Sequence, residues 1–355
     1  MVFLDYASTC PVVKYPQRLY QDVLGEGYFF NPNANYAYKE KKLLAEAEDR
    51  VKKAIGAKGG KVVFGGTSSQ LIENLFTHIY DETNKYLTIC SVYEHDAMWR
   101  FADQWGNIDS LKHVIQTYHG DKQLIVCLMG VNNLTGEIMP VKEIGMLCHE
   151  HDAFYICDMT AMIGHTPIPD NIDQWCDCAV WSGHKLGTEL GIGAMWISDK
   201  LDKWLNGFKP HGTPNLAGAL AMTQTVEDVC NIKYLSASTN RYNNLYDNLF
   251  YILKKHGIDF QVIDGSIKTC AINAIRLPGF NARALQSYLA SKEIYIGLGQ
   301  SSCADEADRQ VLCQGYDLGE QEADEVIRIS FGENSNVDEV KALIDGIVTF
   351  KKEYL

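Results

Sequence analysis

The sequence predicts an α/β protein of two domains: a large one with a mostly parallel sheet flanked by helices, and a smaller α+β domain at the C-terminal end. Three observations predict it. Short apolar runs alternate with helical patterns through the first part of the chain, the signature of strand–loop–helix units that build parallel sheets. The runs Ala153–Cys157 and Cys178–Trp181 are continuously hydrophobic, as strands buried on both faces are. And 355 residues exceed what a single core usually holds.

The elements follow in order. Tyr38 to Ala57 places apolar residues at helical spacing among charges, and Gly56 near its end acts as a stop. Lys61–Phe64 is a short strand that runs into Gly65-Gly66-Thr67-Ser68-Ser69, with a helix expected from about Gln70. A strand, a small-residue turn and a helix start point backbone N–H groups at a phosphate, although the same pattern also makes a plain capped loop. Further units run from Tyr86–Cys90 to Glu94-His95, and from Gln123–Met129 to Asn132-Asn133. Two more end at Asp158 and at Lys185. Leu216 to His256 reads as helical with interruptions near Ser236–Ser238, and Gly257 ends it. The pattern then changes: strand-like Cys270–Leu277, helix-like Ala282–Ser291, strand-like Glu293–Ile296 and Val326–Ser330, and a last helix from Val337. The change places the domain boundary near residue 226, giving 1–225 and 226–355.

Composition narrows the function classes. Hydrophobic residues make up 46% and charged residues 22%, an ordinary globular balance that argues against long disordered tracts. A net charge of −13 argues against nucleic acid or an anionic membrane as partner. No apolar run reaches the length of about 18 residues that a spanning helix needs, and Met1–Tyr6 shows no basic segment leading into an apolar one. The eleven cysteines are scattered, odd in number and mostly inside apolar runs, where a thiol behaves as a small hydrophobe. A reducing cytoplasm is therefore expected. Cys176-Asp-Cys178 lacks the second Cys/His pair of a zinc site, so no metal is expected.

The chemistry concentrates at two strand ends. Asp158 follows one buried strand, and Ser182-Gly183-His184-Lys185 follows another. Ligands of open α/β sheets gather beyond the carboxyl ends of the strands, so a carboxylate and a lysine would meet at one crevice. Pyridoxal phosphate needs that pair: a lysine for the Schiff base, and an acid for the pyridinium nitrogen.

With these pieces in order the chain resembles the cysteine desulfurases of the class V aminotransferase superfamily, fold type I pyridoxal-phosphate enzymes. The likeness runs nearly the whole length. It rests on Leu4-Asp5-Tyr6 with Pro11, Asn31-Pro32, Glu94-His95, Asn132-Asn133 with Gly136, Asp158, Ser182-Gly183-His184-Lys185, Gly212-Thr213, Cys303 and Arg328-Ile-Ser-Phe-Gly332.

The resemblance implies a role for each residue. Lys185 carries the cofactor and moves protons, and Asp158 pairs with the ring nitrogen. His95 stacks on the ring and serves in proton transfer. Asn133 touches the ring hydroxyl or the substrate. Thr67, Ser68, Ser69, Ser182 and His184 hold the phosphate, and Thr213 reaches the phosphate in a partner subunit, which implies a homodimer with shared active sites. Arg328 binds the substrate carboxylate, and Cys303 is the thiol that takes sulfur from L-cysteine as a persulfide, releasing L-alanine and passing the sulfur to an acceptor. About the first 14 residues pack with the small domain, which also carries the Cys303 loop. Cys313 is read as structural.

The sequence also departs from the family pattern. Ala161 stands where a glutamine usually donates to the ring hydroxyl, and Thr160 or a water is expected to replace it. The segment from Lys185 to Thr213 is short, Pro210-His211 stand where Arg-Ser is common, and the histidine after Asn-Pro is replaced, with Tyr36 nearby. The last helix is expected to close the chain without the extension that docks an iron–sulfur scaffold. Two further readings stay open: a C–S or C–Se lyase or aminotransferase using the same cofactor, and a non-catalytic binding protein of the same fold.

Overall fold

The computed structural model describes residues 1–12, 14–26, 30–82, 85–265, 267–299 and 309–354. They fall into two compact units. One comprises Pro11–Gly130 and Met139–Leu235; the other comprises Met1–Cys10, Val131–Ile138 and Ser236–Leu355. The division after residue 235 lies inside the helix Ile232–Lys255, a little beyond the 226 boundary expected from the change of pattern. Residues 131–138 join the second unit because the loop they form, closed by the bridge Val131↔Ile138, pairs with Lys268 through Glu137.

Among the described residues twelve strands are numbered along the chain: β1 (Val2–Leu4), β2 (Lys61–Gly65), β3 (Tyr86–Ser91), β4 (Gln104–Gly106), β5 (Gln123–Cys127), β6 (Phe154–Asp158), β7 (Cys178–Ser182), β8 (Gly193–Ile197), β9 (Gln261–Ile263), β10 (Ile272–Arg276), β11 (Ile294–Leu298) and β12 (Val326–Ser330). The first unit holds a seven-stranded sheet in the order β2-β8-β7-β6-β5-β3-β4. Neighbours from β4 through β7 are parallel, and β8 alone is antiparallel to both of its neighbours. The chain is therefore α/β with a mostly parallel sheet and helices against it, as the alternation predicts. Strands β6, β7 and β8 are buried at every residue, which explains their unbroken apolar sequences.

Alternate residues of these strands face one helix. Ile125 and Cys127, Phe154 and Ile156, Cys178 and Val180, Met195 and Ile197 form a cluster with Leu71, Ile72, Leu75, Phe76 and Ile79 of the helix Ser68–Glu82. Each such side chain contributes about 1.5–3 kcal/mol of transfer free energy. The thiols of Cys90 and Cys178 belong to this cluster, and burial pushes both well above the ordinary thiol range. They are packing groups. The helix Val141–Glu150 packs on Tyr155 of β6 through Gly145, where a Cβ would meet the Trp175 carbonyl oxygen at 1.7 Å and the Tyr155 ring at 2.9 Å.

At the opposite edge from the strand ends that matter below, an ion pair between a half-buried histidine and a buried aspartate fastens that helix. His149 Nε2 lies 2.9 Å from Asp177 Oδ2, and its Nδ1 lies 2.9 Å from the Gln174 carbonyl. Asp177 also accepts from the Tyr155 amide and the Ser198 hydroxyl. With an acceptor at each ring nitrogen the imidazolium is favoured, and the hydrogen bond to Asp177 raises its pKa most, against burial. A raised folded pKa gives stability that is present below the unfolded imidazole value and is lost as pH rises through the folded one. His149→Ala should therefore cost about 1–3 kcal/mol near pH 6. The cost should shrink as pH rises above the ordinary imidazole range and through the raised folded value, a trend that thermal melts of parent and variant would measure.

The second unit holds a five-stranded sheet, β1-β11-β12-β10-β9. The N-terminal strand lies at its edge, parallel to β11, with Val2 opposite Ile294. β12 runs antiparallel to both β10 and β11. Its core includes Leu134, Ile263, Ala274, Leu312 and Val326.

The sequence misplaced one break. Leu216–His256 forms two helices, Leu216–Val229 and Ile232–Lys255, so the interruption falls at Cys230-Asn231. Asn231 caps the second helix by accepting from the Lys233 amide, whereas Ser238 is 2% exposed and packs within the helix.

Candidate active site

The carboxyl ends of β2, β3, β5, β6 and β7 lie along one edge of the seven-stranded sheet. β8 runs the other way and begins there, with Gly193 opposite both Gly65 and Ser182. The turn after β2 is built by its own small residues. Thr67 Oγ1 accepts from the Gln70 amide, starting the helix, and Gln70 Oε1 accepts from the Gly66 amide. Ser68 is bound to the end of β7: its amide donates to Ser182 Oγ at 2.9 Å, and the two hydroxyls are 2.7 Å apart. Gly193 permits this approach, because a Cβ there would lie 2.7 Å from the Thr67 carbonyl carbon and 2.9 Å from the Ser68 nitrogen. Ser69 is exposed beside them at the helix start.

Lys185 and His184 follow Ser182 in one tight turn, Gly183–Lys185. Burial, and then the charge on Lys185, press the His184 imidazole down to about 4. With no anion beside it His184 is thus neutral at physiological pH, and a bound phosphate would raise its pKa again.

Asp158 ends β6 and is 6% exposed. Its Oδ1 accepts from the Thr160 amide at 2.8 Å, which fixes the carboxylate. Thr160 Oγ1 is buried and has no hydrogen-bond partner, and Ala161 follows it. His95 caps the short helix Asp96–Trp99, its Nδ1 accepting from the Ala97 amide at 3.2 Å. In the neutral ring this places the proton on Nε2. Glu94, just before it, is 1% exposed and accepts from the Ser91 hydroxyl and the Met129 amide.

Two distant sequence motifs meet on the same unit. Asn31 Nδ2 donates to Thr213 Oγ1 at 3.3 Å, and Asn33 Nδ2 donates to the Gly212 carbonyl at 3.4 Å. Thr213 is exposed. A cavity of about 770 Å³ is lined by Gly65, Gly66 and Gln70 on one side and by Gly212, Thr213 and Asn215 on the other.

In the other unit Arg328 of β12 is 2% exposed. Its Nη2 donates to Asp5 Oδ1 at 2.9 Å and to Ser8 Oγ at 2.6 Å, and its Nη1 donates to the Asn133 carbonyl at 3.1 Å. Nε is buried with no partner. Gly297 makes room for the guanidinium, since a Cβ there would lie 2.8 Å from Nε and 2.6 Å from Asp5 Oδ1. Sequence reasoning placed Arg328 and Asn133 in the site separately and missed their bond and the Asp5–Ser8 pair. Asp5 belongs to the Leu-Asp-Tyr motif, the one signal that could have found it. Cys303 lies outside the described residues. Cys313 is half-buried, and burial raises its thiol.

The model of the aminotransferase class-V family matches residues 2–343. The chain belongs to that family. Cysteine desulfurase IscS of Dictyoglomus turgidum is 28% identical over 255 residues, 64% of this chain and 63% of that protein. A putative cysteine desulfurase, IscS 1 of Bacillus subtilis, is 26% identical over 96% of both chains. Among solved structures, a NifS-like protein from Rickettsia africae superposes with a TM-score of 0.84 at 19% identity, covering 99% of each chain. Class V aminotransferases are pyridoxal-phosphate enzymes. The residues present fit that cofactor. A helix N-terminus with a serine pair and a glycine-made cradle suits the phosphate, Asp158 is a fixed carboxylate, and Thr160 leaves a buried hydroxyl unpaired two residues away. Among the described residues no group of three or more His, Cys, Asp or Glu is placed to hold a metal ion, and no helix is long and apolar enough to cross a membrane.

Proposed function

We propose that this protein is a pyridoxal-phosphate-dependent cysteine desulfurase that converts L-cysteine to L-alanine and holds the sulfur as a persulfide on Cys303 for an acceptor. The observation that carries the reading is the set Lys185, Asp158, His95 and Ser68–Ser182 on one sheet edge of a class V chain whose relatives are named cysteine desulfurases.

Bound pyridoxal phosphate supplies an electron sink, which draws the bonding electrons of the substrate's α-carbon. The residues do the rest. Asp158 holds the pyridine nitrogen in its protonated form, and the Thr160 hydroxyl takes over the hydrogen bond that a glutamine at 161 would give. Thr67, Ser68, Ser69, Ser182 and His184 bind the phosphate. Lys185 carries the cofactor and moves protons through its freed amine, and His95 does so through Nε2. Arg328 anchors the substrate carboxylate with a planar fork that matches two oxygens, beside Asn133. The thiolate of Cys303 attacks the substrate sulfur, forming an S–S bond as the C–S bond breaks. The carbon keeps that electron pair, takes a proton and leaves as alanine.

The exposed Thr213, held by Asn31, supports a homodimer in which it reaches the partner's phosphate. We place the protein in the cytoplasm, from thiols that pack as small apolar groups.

The protein incubated with L-cysteine should yield alanine and, in the first turnover, a matching amount of protein-bound persulfide. Pyruvate with free sulfide would replace this reading with a lyase, and a keto acid retaining its sulfur would replace it with an aminotransferase.

A further inference from the structure

One acid of this site has no part in the chemistry above. Glu94 Oε1 is occupied by the Ser91 hydroxyl at 2.9 Å and by the Met129 amide, so it ties the loop that carries His95 to the residues just past β5. Glu94 Oε2 is buried and has no hydrogen-bond partner. Among the described residues, titratable groups that act on this carboxyl through their charge include Asp158, Cys157 and Tyr155 of β6 and Cys90 of β3. All four are acids, so none of them can neutralise a charge on Glu94. Two neighbouring carboxyls away from water do not both ionise at neutral pH; one keeps a proton and the pair titrates in two steps. Glu94 is the deeper of the two, 1% exposed against 6% for Asp158, and it has the bare oxygen.

We propose that Glu94 is a positioning residue for Asp158: it remains a neutral acid, and so leaves Asp158 as the one charged carboxyl of the pair, the charge a pyridinium nitrogen requires. The proposal rests on the reading of this edge as a pyridoxal-phosphate site. Burial first, and the Asp158 charge second, push the Glu94 carboxyl up to about 8 from its ordinary 4.5. Because the folded value is the higher one, the proton on Glu94 favours the fold at low pH. That contribution is lost as pH rises from about 4.5 to about 8.

The test uses cofactor-free protein first. Glutamine keeps the Oε1 acceptor and does not titrate, so Glu94→Gln should gain thermal midpoint over the parent progressively across this window and hold a constant lead above it. A difference that stays flat with pH, or that grows in the parent's favour, overturns the proposal. Should Glu94→Gln not fold, the infrared C=O stretch of a protonated carboxyl in the folded parent at about pH 7 replaces that comparison, and its absence overturns the proposal. With cofactor, Glu94→Gln should bind pyridoxal phosphate within about threefold of the parent, whereas Glu94→Ala, which leaves the Ser91 and Met129 donors unpaired, should bind about tenfold more weakly. A tenfold loss in Glu94→Gln as well would mean that the charge on Glu94 is needed, and overturns the proposal. A parent that binds no pyridoxal phosphate overturns the cofactor reading instead, while the pH dependence of the cofactor-free protein stands apart from it.

Discussion

Lys185→Ala should abolish turnover of L-cysteine, by at least about 10³-fold, and remove the visible absorbance of the protein-bound cofactor. Two losses combine in that figure. In the proposed site the amine that holds the cofactor covalently is gone, and so is the group that moves protons at the α-carbon. The substitution should leave the fold intact, because Lys185 is only half-buried in a turn closed by backbone bonds, Leu186 N–H and Thr188 N–H both donating to the Gly183 carbonyl. The check is direct: reduce the parent with borohydride, map the modified peptide, and compare spectra of parent and variant. A visible band that persists in the variant, with the label on another lysine, would assign the wrong residue to the cofactor.

Cys303→Ala should separate binding from sulfur transfer. The visible spectrum and its change on adding L-cysteine should be retained, since in the proposed site other residues hold cofactor and substrate, while alanine formation should fall by about 10²–10⁴-fold for want of a nucleophile. Cys313→Ala is the control. Burial raises that thiol, which keeps it protonated and poorly nucleophilic, so most activity should survive. Alanine formed at the parent rate by Cys303→Ala would sink the desulfurase mechanism and leave the fold and cofactor untouched.

The parts of this molecule legible in its sequence are those where one physical demand acts on consecutive residues. Strands β6 and β7 are buried on both sides, so their sequences are solidly apolar, and the Asp158 and Lys185 that follow stand out as the first residues released from that demand. β8 is just as buried, but its run Gly193–Ile197 opens on a glycine needed for the Thr67–Ser68 approach, which blurs the strand signal. β4 has three residues, mostly exposed, and no pattern to read. The Arg328–Asp5–Ser8 cluster was hidden for another reason. Its members lie 323 and 320 positions apart in the chain, and nothing local announces a bond made by tertiary folding. Thr160 and Glu94 were named in the sequence, but the buried oxygen that each keeps without a partner, Oγ1 and Oε2, shows only once the chain is folded.

The strand order of the smaller sheet constrains how this chain can be made and cut. β1 leaves the ribosome long before its partner β11, which starts at Ile294, so its edge stays open until that strand is made. Leu134, a member of the same unit's core, arrives on an excursion between β5 and the helix Val141–Glu150. A fragment comprising only residues 236–355 would therefore lack both an edge strand and part of its interior, and the remainder would carry two orphaned pieces of a unit it does not contain. The polypeptide is two bodies in space but cannot be divided into two by any single cut.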